Sequence, residues 1–342
     1  MRHLLNTLYV MTQGAYLRLE GETLVVEVER QKRLQIPLHH IGSVVIFGDI
    51  MVSPAALHRC ADDGLGVVLL NRYGRFKARL EGSLSGNILL RQAQHRSAAT
   101  QSLEIARAFV AGKLRNTRQV VLRGARDSNN ESDREVLRQR GRLLAGHIRR
   151  LPGAATLDEV RGEEGDGARV YFEAVRHLIR ADARETFHFE RRSRRPPLDC
   201  FNALISFIYT LLVHDCRSAV ESVGLDSQLG FLHAVRPGRP ALALDLMEEF
   251  RPLADRLALT LINRTQLTAK DFEPRPGGAV YLAETGRKTV LSAYQQRKQE
   301  EMSHALLQQP VPMGLLPHIQ ARLLARVLRG DVEGYLPFLM RS

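Results

Sequence analysis

Tryptophan is absent from this chain, and cysteine occurs only three times in 342 residues. Cys60, Cys200 and Cys216 lie far apart and form no C-x-x-C pair. That spacing excludes a zinc knuckle and a disulfide framework, and it suits a reducing compartment. No G-x-x-x-x-G-K-[ST] phosphate loop is present, which argues against NTP hydrolysis. No G-x-G-x-x-G follows a strand-like run, and H-E-x-x-H is missing. Gly82-Ser-Leu-Ser-Gly86 has the outline of a nucleophile elbow, but Leu84 stands where the nucleophile belongs. No stretch approaches the length of a membrane span. The first ten residues are interrupted by Asn6 and Thr7 and lack a small-residue cleavage site, so no signal peptide is expected. The expectation is a cytoplasmic protein without a membrane partner.

What is abundant is positive charge. Lys and Arg number 49 against 37 Asp and Glu, a net charge of +12. Such a balance favours nucleic acid, or less often an anionic membrane surface. Arg greatly outnumbers Lys, so part of the excess fits a genome-wide bias toward Arg. An apolar content of 44% supports a real core, and the length allows two or three domains.

Residues 1–85 read as β-rich. Thr23 to Glu29 alternates at its end, and Gly21-Glu22 looks like a hairpin turn after Ala15 to Glu20. Leu34 to Ile36, Ser43 to Phe47, Gly66 to Leu70 and Arg75 to Leu80 continue the pattern. One short helix is expected over Pro54 to Ala61, with Ser53 as N-cap, Pro54 at its first position and Gly64 ending it. Gly82 to Asn87 reads as a hinge and residues 86–95 as a linker. Residues 96–342 show helical periodicity. Asp127 to Asp133 and Gly162 to Gly167 read as polar connections. Asp199 is the expected N-cap of a helix running to about Cys216. Pro252 is expected to kink or break the helix holding Asp245 and Glu248. Pro317 to Leu328 reads as a basic amphipathic helix. The expected fold class is α+β, a small β-sandwich-like domain followed by a larger all-α domain.

Four residues are candidate metal ligands: Glu173, His233, Asp245 and Glu248. Carboxylates with one imidazole suit Mn²⁺ or Mg²⁺ better than a thiolate-rich zinc site. Asp245 and Glu248 are i and i+3, which puts both on one face of a helix. Each residue alone also fits a structural role. Asp245 could cap a helix, Glu248 could face solvent, His233 could be a satisfied core histidine, and Glu173 could pair with Arg176 or His177. Arg191, Arg192, Arg194 and Arg195 form a cluster that could clamp a phosphate backbone or be a solvated loop. Arg287, Lys288 and Arg297 extend the basic set. Phe187, Phe189, Tyr281 and Tyr294 could stack on bases or belong to the core.

Together, these segments resemble the CRISPR-associated adaptation nucleases of the Cas-one integrase family, over essentially the full length. The carrying runs are Tyr171-Phe-Glu173, Arg191 to Ser206, Gly230-Phe-Leu-His233 and Leu244 to Pro252. The runs after Leu232 and from Asp245 to Pro252 resemble the subtype I-C branch. The resemblance implies metal ligation by Glu173, His233 and Glu248, with Asp245 adjacent. It implies a homodimer built through the β domains. It also implies partnership with the small Cas-two protein, to insert DNA fragments into a CRISPR repeat by transesterification. The double-stranded DNA fragment and the repeat would be the substrates. A metal-dependent repair nuclease and a non-catalytic DNA scaffold are the alternatives.

Overall fold

The computed structural model describes residues 6–80, 82 and 88–340. The chain divides into two units: residues 1–85 with 291–300, and residues 86–290 with 301–342. The hinge expected over Gly82 to Asn87 lies, apart from Gly82, outside the described residues.

Among the described residues, the first unit holds eight strands: β1 (Thr7–Val10), β2 (Tyr16–Glu20), β3 (Thr23–Val28), β4 (Gln31–Pro37), β5 (Ser43–Phe47), β6 (Met51–Val52), β7 (Gly66–Leu70) and β8 (Phe76–Leu80). They form two four-stranded sheets, ordered β1-β5-β7-β8 and β4-β3-β2-β6. Hairpin pairing joins β2 to β3 and β7 to β8, but β1–β5 and β5–β7 are parallel. Sequence patterning missed β1 and β6. One apolar cluster draws Leu8, Val10, Val44, Ile46 and Val67 from the first sheet and Leu17, Leu24 and Val26 from the second. Helix α1 (Pro54–Asp62) adds Ala56 and Cys60 to that core. The Ser53 hydroxyl accepts the Ala56 N–H at 3.1 Å, and Pro54 opens the first turn, as expected.

The second unit begins with α2 (Ile88–Thr100), so most of the expected linker is helical. Gln94, fully buried, explains why: its amide spans Asp226 O, Leu229 O and Asp226 N at 2.8–2.9 Å. Three helices then pack together: α3 (Ser102–Asp127), α4 (Glu131–Arg150) and α5 (Leu157–Leu178). The α3–α4 connection is polar, and Asn130 caps α4 by accepting the Asp133 N–H. The second expected connection is absent, because residues 162–167 lie inside α5. Their glycines serve packing. A Cβ at Gly167 would stand 2.3 Å from Leu114 Cδ2, so glycine lets Leu114 of α3 pack directly against the α5 backbone there.

Helix α6 (Cys200–Ser222) starts at Asp199, whose carboxylate accepts the Asn202 N–H at 2.7 Å. Its 23 residues are long and apolar enough to cross a membrane, contrary to expectation. It is instead a core helix, burying Phe201, Leu204, Ile205, Ile208 and Leu211. Helix α7 (Ala241–Met247) ends before Pro252, and α8 (Arg251–Asn263) carries Pro252 in its first turn. Pro252 therefore starts a helix, in a turn where its missing N–H costs nothing. The unit is not all-α. Among the described residues it holds two small hairpins, β9 (Phe272–Pro274) with β10 (Val280–Leu282), and β11 (Glu301–His304) with β12 (Gln309–Pro312). Helix α9 (Glu284–Gln299) lies between them in sequence, and α10 (Leu316–Leu328) follows.

Candidate metal centre

The loop before α7 and the end of α7 are built around Asp245. Its carboxylate is fully buried. Oδ2 accepts the N–H groups of Phe231 and Leu232 at 2.6 and 3.0 Å. Oδ1 accepts the His233 N–H at 2.9 Å and contacts His233 Nδ1 at 2.6 Å. Every lone pair aimed at the loop is engaged, so Asp245 is an orienter of His233 rather than an open donor. Gly230 permits this, because a Cβ there would lie 2.6 Å from Asp245 Oδ2.

With Nδ1 held, His233 turns Nε2 toward Glu248, 3.9 Å from its Oε1. Glu248 caps the C-terminus of α7 and is 3% exposed. Arg251 Nε donates to Oε1 at 2.8 Å, and Lys113 Nζ lies 2.7 Å from Oε2. Burial alone would raise this carboxyl, but Arg251, then Lys113 and His233, hold it well below the usual carboxylate range. Oε2 is buried without a hydrogen-bond partner, and Lys113 is its ion-pair contact.

The carboxylate opposite Glu248 belongs to Glu164. Lys113 Nζ bonds Glu164 Oε1 as well. Glu164, His233, Glu248, Lys113, Arg194, Arg251, Tyr171, Tyr209 and Asp255 line one small cavity of ≈ 120 Å³. Glu173 is not on that wall. It is half-exposed, pairing with Arg140 Nη1 at 2.5 Å and Arg169 Nη1 at 3.8 Å. At about 100° per residue, nine residues put Glu173 roughly opposite Glu164 around α5. The expectation of Glu173 at the centre is therefore corrected by helix geometry. Glu164 was overlooked because the glycines beside it suggested a loop.

Deeper in the cavity, Tyr209 donates to Asp255 Oδ1 at 2.6 Å. Burial pushes Asp255 up to about 6, against the Tyr209 hydrogen bond and the Arg251 and Arg192 charges that lower it. The Arg251 guanidinium lies over the Tyr209 ring, 4.6 Å from its centroid.

The basic cluster separates into different roles. Arg191, Arg194 and Arg195 are exposed. Arg192 turns inward to Asn202 Oδ1 at 2.7 Å and Ser206 Oγ at 3.0 Å, and burial lowers it to about 10. Arg287 is 9% exposed and donates to Leu282 O at 2.6 Å. These two are structural cations and are not placed for phosphate contact. Lys288 and Arg297 pair with Glu284 and Glu300 on the α9 surface. Phe187, Phe189 and Tyr294 are core residues.

Among the described residues, no three His, Cys, Asp or Glu side chains already stand at common ligating distance. The donor types nonetheless fit a hard divalent cation. Two carboxylates and one imidazole face one cavity, and a buried carboxylate oxygen there lacks a hydrogen-bond partner.

The chain matches the family described as CRISPR associated protein Cas1 over residues 8–296. It is 56% identical to CRISPR-associated endonuclease Cas1 1 of Moorella thermoacetica, covering 100% of both chains. Its fold matches a chain of a Cas6-RT-Cas1–Cas2 complex at TM-score 0.83 and 22% identity, covering 98% of this chain and 36% of that one. It also matches a casposase bound to integration product at TM-score 0.82 and 21% identity, covering 96% of this chain and 92% of that one. Profile, full-length identity and fold all agree with the resemblance carried by the His233 and Glu248 runs, and the chain belongs to the CRISPR-associated Cas1 family.

Proposed function

We propose that this chain is a metal-dependent DNA endonuclease and integrase of CRISPR adaptation. The observation that carries the chemistry is the convergence of Glu164, His233 and Glu248 on one cavity walled by Arg194 and Arg251. Glu164 and Glu248 would supply oxygen donors and His233 Nε2 the nitrogen donor. A bound Mn²⁺ or Mg²⁺ supplies Lewis-acid polarisation of a phosphoryl oxygen and neutralises charge at the exchanging oxygens. Asp245 keeps the His233 ring oriented with Nε2 free. Arg251 keeps Glu248 ionised. Arg194 stands at the cavity wall to receive phosphate oxygens.

In the reaction, the 3′-oxygen of a DNA fragment forms a bond to phosphorus at the repeat boundary. The bond from that phosphorus to the leaving 3′-oxygen breaks, and the proton of the attacking hydroxyl is transferred to it or to solvent. One phosphodiester replaces another, so no NTP is consumed. With water as the attacking group, the same centre cleaves DNA.

Double-stranded DNA and the small Cas2 protein are the partners. The shared fold with a casposase–product complex and a Cas1–Cas2 assembly supports this. The two sheets of the β-rich unit form a sandwich-like body through which two copies associate. Leu34, Met51 and Phe76 are exposed apolar residues there, which supports an interface. The subtype I-C assignment rests on the runs from Leu232 to Pro240 and from Asp245 to Pro252. A strand-transfer assay with a labelled fragment and a repeat-bearing plasmid tests the function. Joined product that disappears in Glu164→Gln is expected. Cleavage without any joining would favour a plain repair nuclease. Full activity in Glu164→Gln and His233→Ala would favour a scaffold.

A further inference from the structure

Helix α3 delivers a positive charge to the place where a dication would have to sit. Lys113 is 12% exposed, and its ammonium touches the carboxylates of both Glu164 and Glu248. Those are the two oxygen-donor residues of the candidate centre. The contact on Glu248 falls on Oε2, the oxygen that Arg251 leaves available. An ammonium and a divalent cation cannot hold the same oxygens, because like charges at such separations repel and a carboxylate has few lone pairs in that direction.

The residue type matters. Lysine occurs six times in this chain among 49 Lys and Arg, and one of the six stands here. An ammonium on a four-carbon stem can rotate away from its partners as a point charge. A guanidinium fork would be fixed bidentately to a carboxylate and would block it. The neighbouring cation is an arginine, Arg251, and it holds the other oxygen of Glu248.

Resting on the metal-centre assignment above, we propose that Lys113 is an exchangeable counterion of the centre. It holds Glu164 and Glu248 together while no divalent cation is bound, and it competes with the cation for both. The sign of the effect follows. Without Lys113, the metal-free carboxylates repel each other with only Arg251 left beside Glu248, and the metal-bound state loses a repelling neighbour. Both changes strengthen metal binding. A merely structural lysine predicts the reverse, because its loss would misplace the carboxylates and weaken binding.

The test is a Mn²⁺ titration of the full-length chain, followed by electron paramagnetic resonance of free Mn²⁺ at fixed pH. Melting temperatures are measured with and without the ion. Lys113→Met is expected to lower the Mn²⁺ Kd by about tenfold or more, the size of effect a close charge exerts on a buried site. Its metal-free melting temperature should fall, and its Mn²⁺-induced rise should exceed that of the parent chain. Lys113→Arg should leave the parent's Mn²⁺ affinity unimproved. An unchanged or weaker affinity in Lys113→Met overturns the proposal. If that variant does not fold alone, folding on addition of Mn²⁺ supports the proposal, and failure to fold with Mn²⁺ overturns it. Glu164→Gln and His233→Ala separate the two levels. If they bind Mn²⁺ as the parent does, the metal-centre assignment fails. If they lose Mn²⁺ while Lys113→Met gains nothing, only the role of Lys113 fails.

Discussion

Glu164 and Glu173 share one helix, and their nine-residue interval decides which of them can meet Glu248. Glu164 faces Lys113 and the cavity, while Glu173 faces Arg140 and Arg169. Glu173→Gln is therefore expected to keep strand transfer within about threefold, whereas Glu164→Gln should lose at least about 100-fold, the scale of a removed metal contribution. Equal losses in a gel assay of both variants would reverse the assignment. Asp255 carries a pH signature. Burial raises it from 3.8 to about 6, so its stability contribution is full below the unfolded value and is lost as pH rises through 6. About two pKa units correspond to at most about 3 kcal/mol. Asp255→Asn removes that loss, so its melting temperature relative to the parent should climb between pH 4 and pH 7. A pH-independent difference would show that Asp255 ionises freely in the folded state.

At the level of elements, the run from Glu190 to Pro197 is neither wholly a solvated loop nor wholly a phosphate clamp. Arg192 fastens the run to α6 through Asn202 and Ser206, leaving Arg191, Arg194 and Arg195 outward. Replacing those three with Ala should reduce the slope of log affinity for DNA against log salt by up to about 2 to 3. Arg192→Ala should instead lower the melting temperature and leave the slope nearly unchanged. An unaltered slope in the triple variant would mark the outward arginines as bystanders. Element ends were readable where a cap sits beside its helix, as with Ser53 for α1 and Asp199 for α6. They were misread where glycine serves packing instead of turning, as in α5. The short hairpins β9–β10 and β11–β12 escaped notice because three- and four-residue strands carry too few residues to display a period.

For the whole molecule, the distribution of charge matters more than its total. Residues 102–150, covering α3 and α4, hold twelve Lys and Arg against five Asp and Glu, more than half of the +12 net charge. That concentration lies on the helical unit that also carries the candidate centre. The β-rich unit has no comparable cavity of acidic and imidazole groups among its described residues, which leaves it free for assembly. Self-association through it should bury on the order of 1,600 Å². Light scattering at micromolar concentration is expected to give the mass of two chains, and Met51→Glu with Phe76→Glu should shift it toward one. A monomeric parent chain would remove the basis for the proposed dimer.

Sequence alone determined what is encoded over a few residues: the strand-rich start, the capped helices, the basic surplus, and the Asp245–Glu248 pair with His233 nearby. These depend on periodicity and on caps, which act within one or two turns. Tertiary structure decided which side chains share the cavity. Lys113, Glu164 and Glu248 are separated by 51 and 84 residues and meet because α3 and α5 pack together, with Leu114 against Gly167, and the end of α7 reaches Lys113. It likewise turned Arg192 and Arg287 from apparent surface charges into half-buried and buried fasteners. Burial and convergence are properties of packing between distant segments, so the ligand type was legible from composition while the identity of one ligand and its counterion was not.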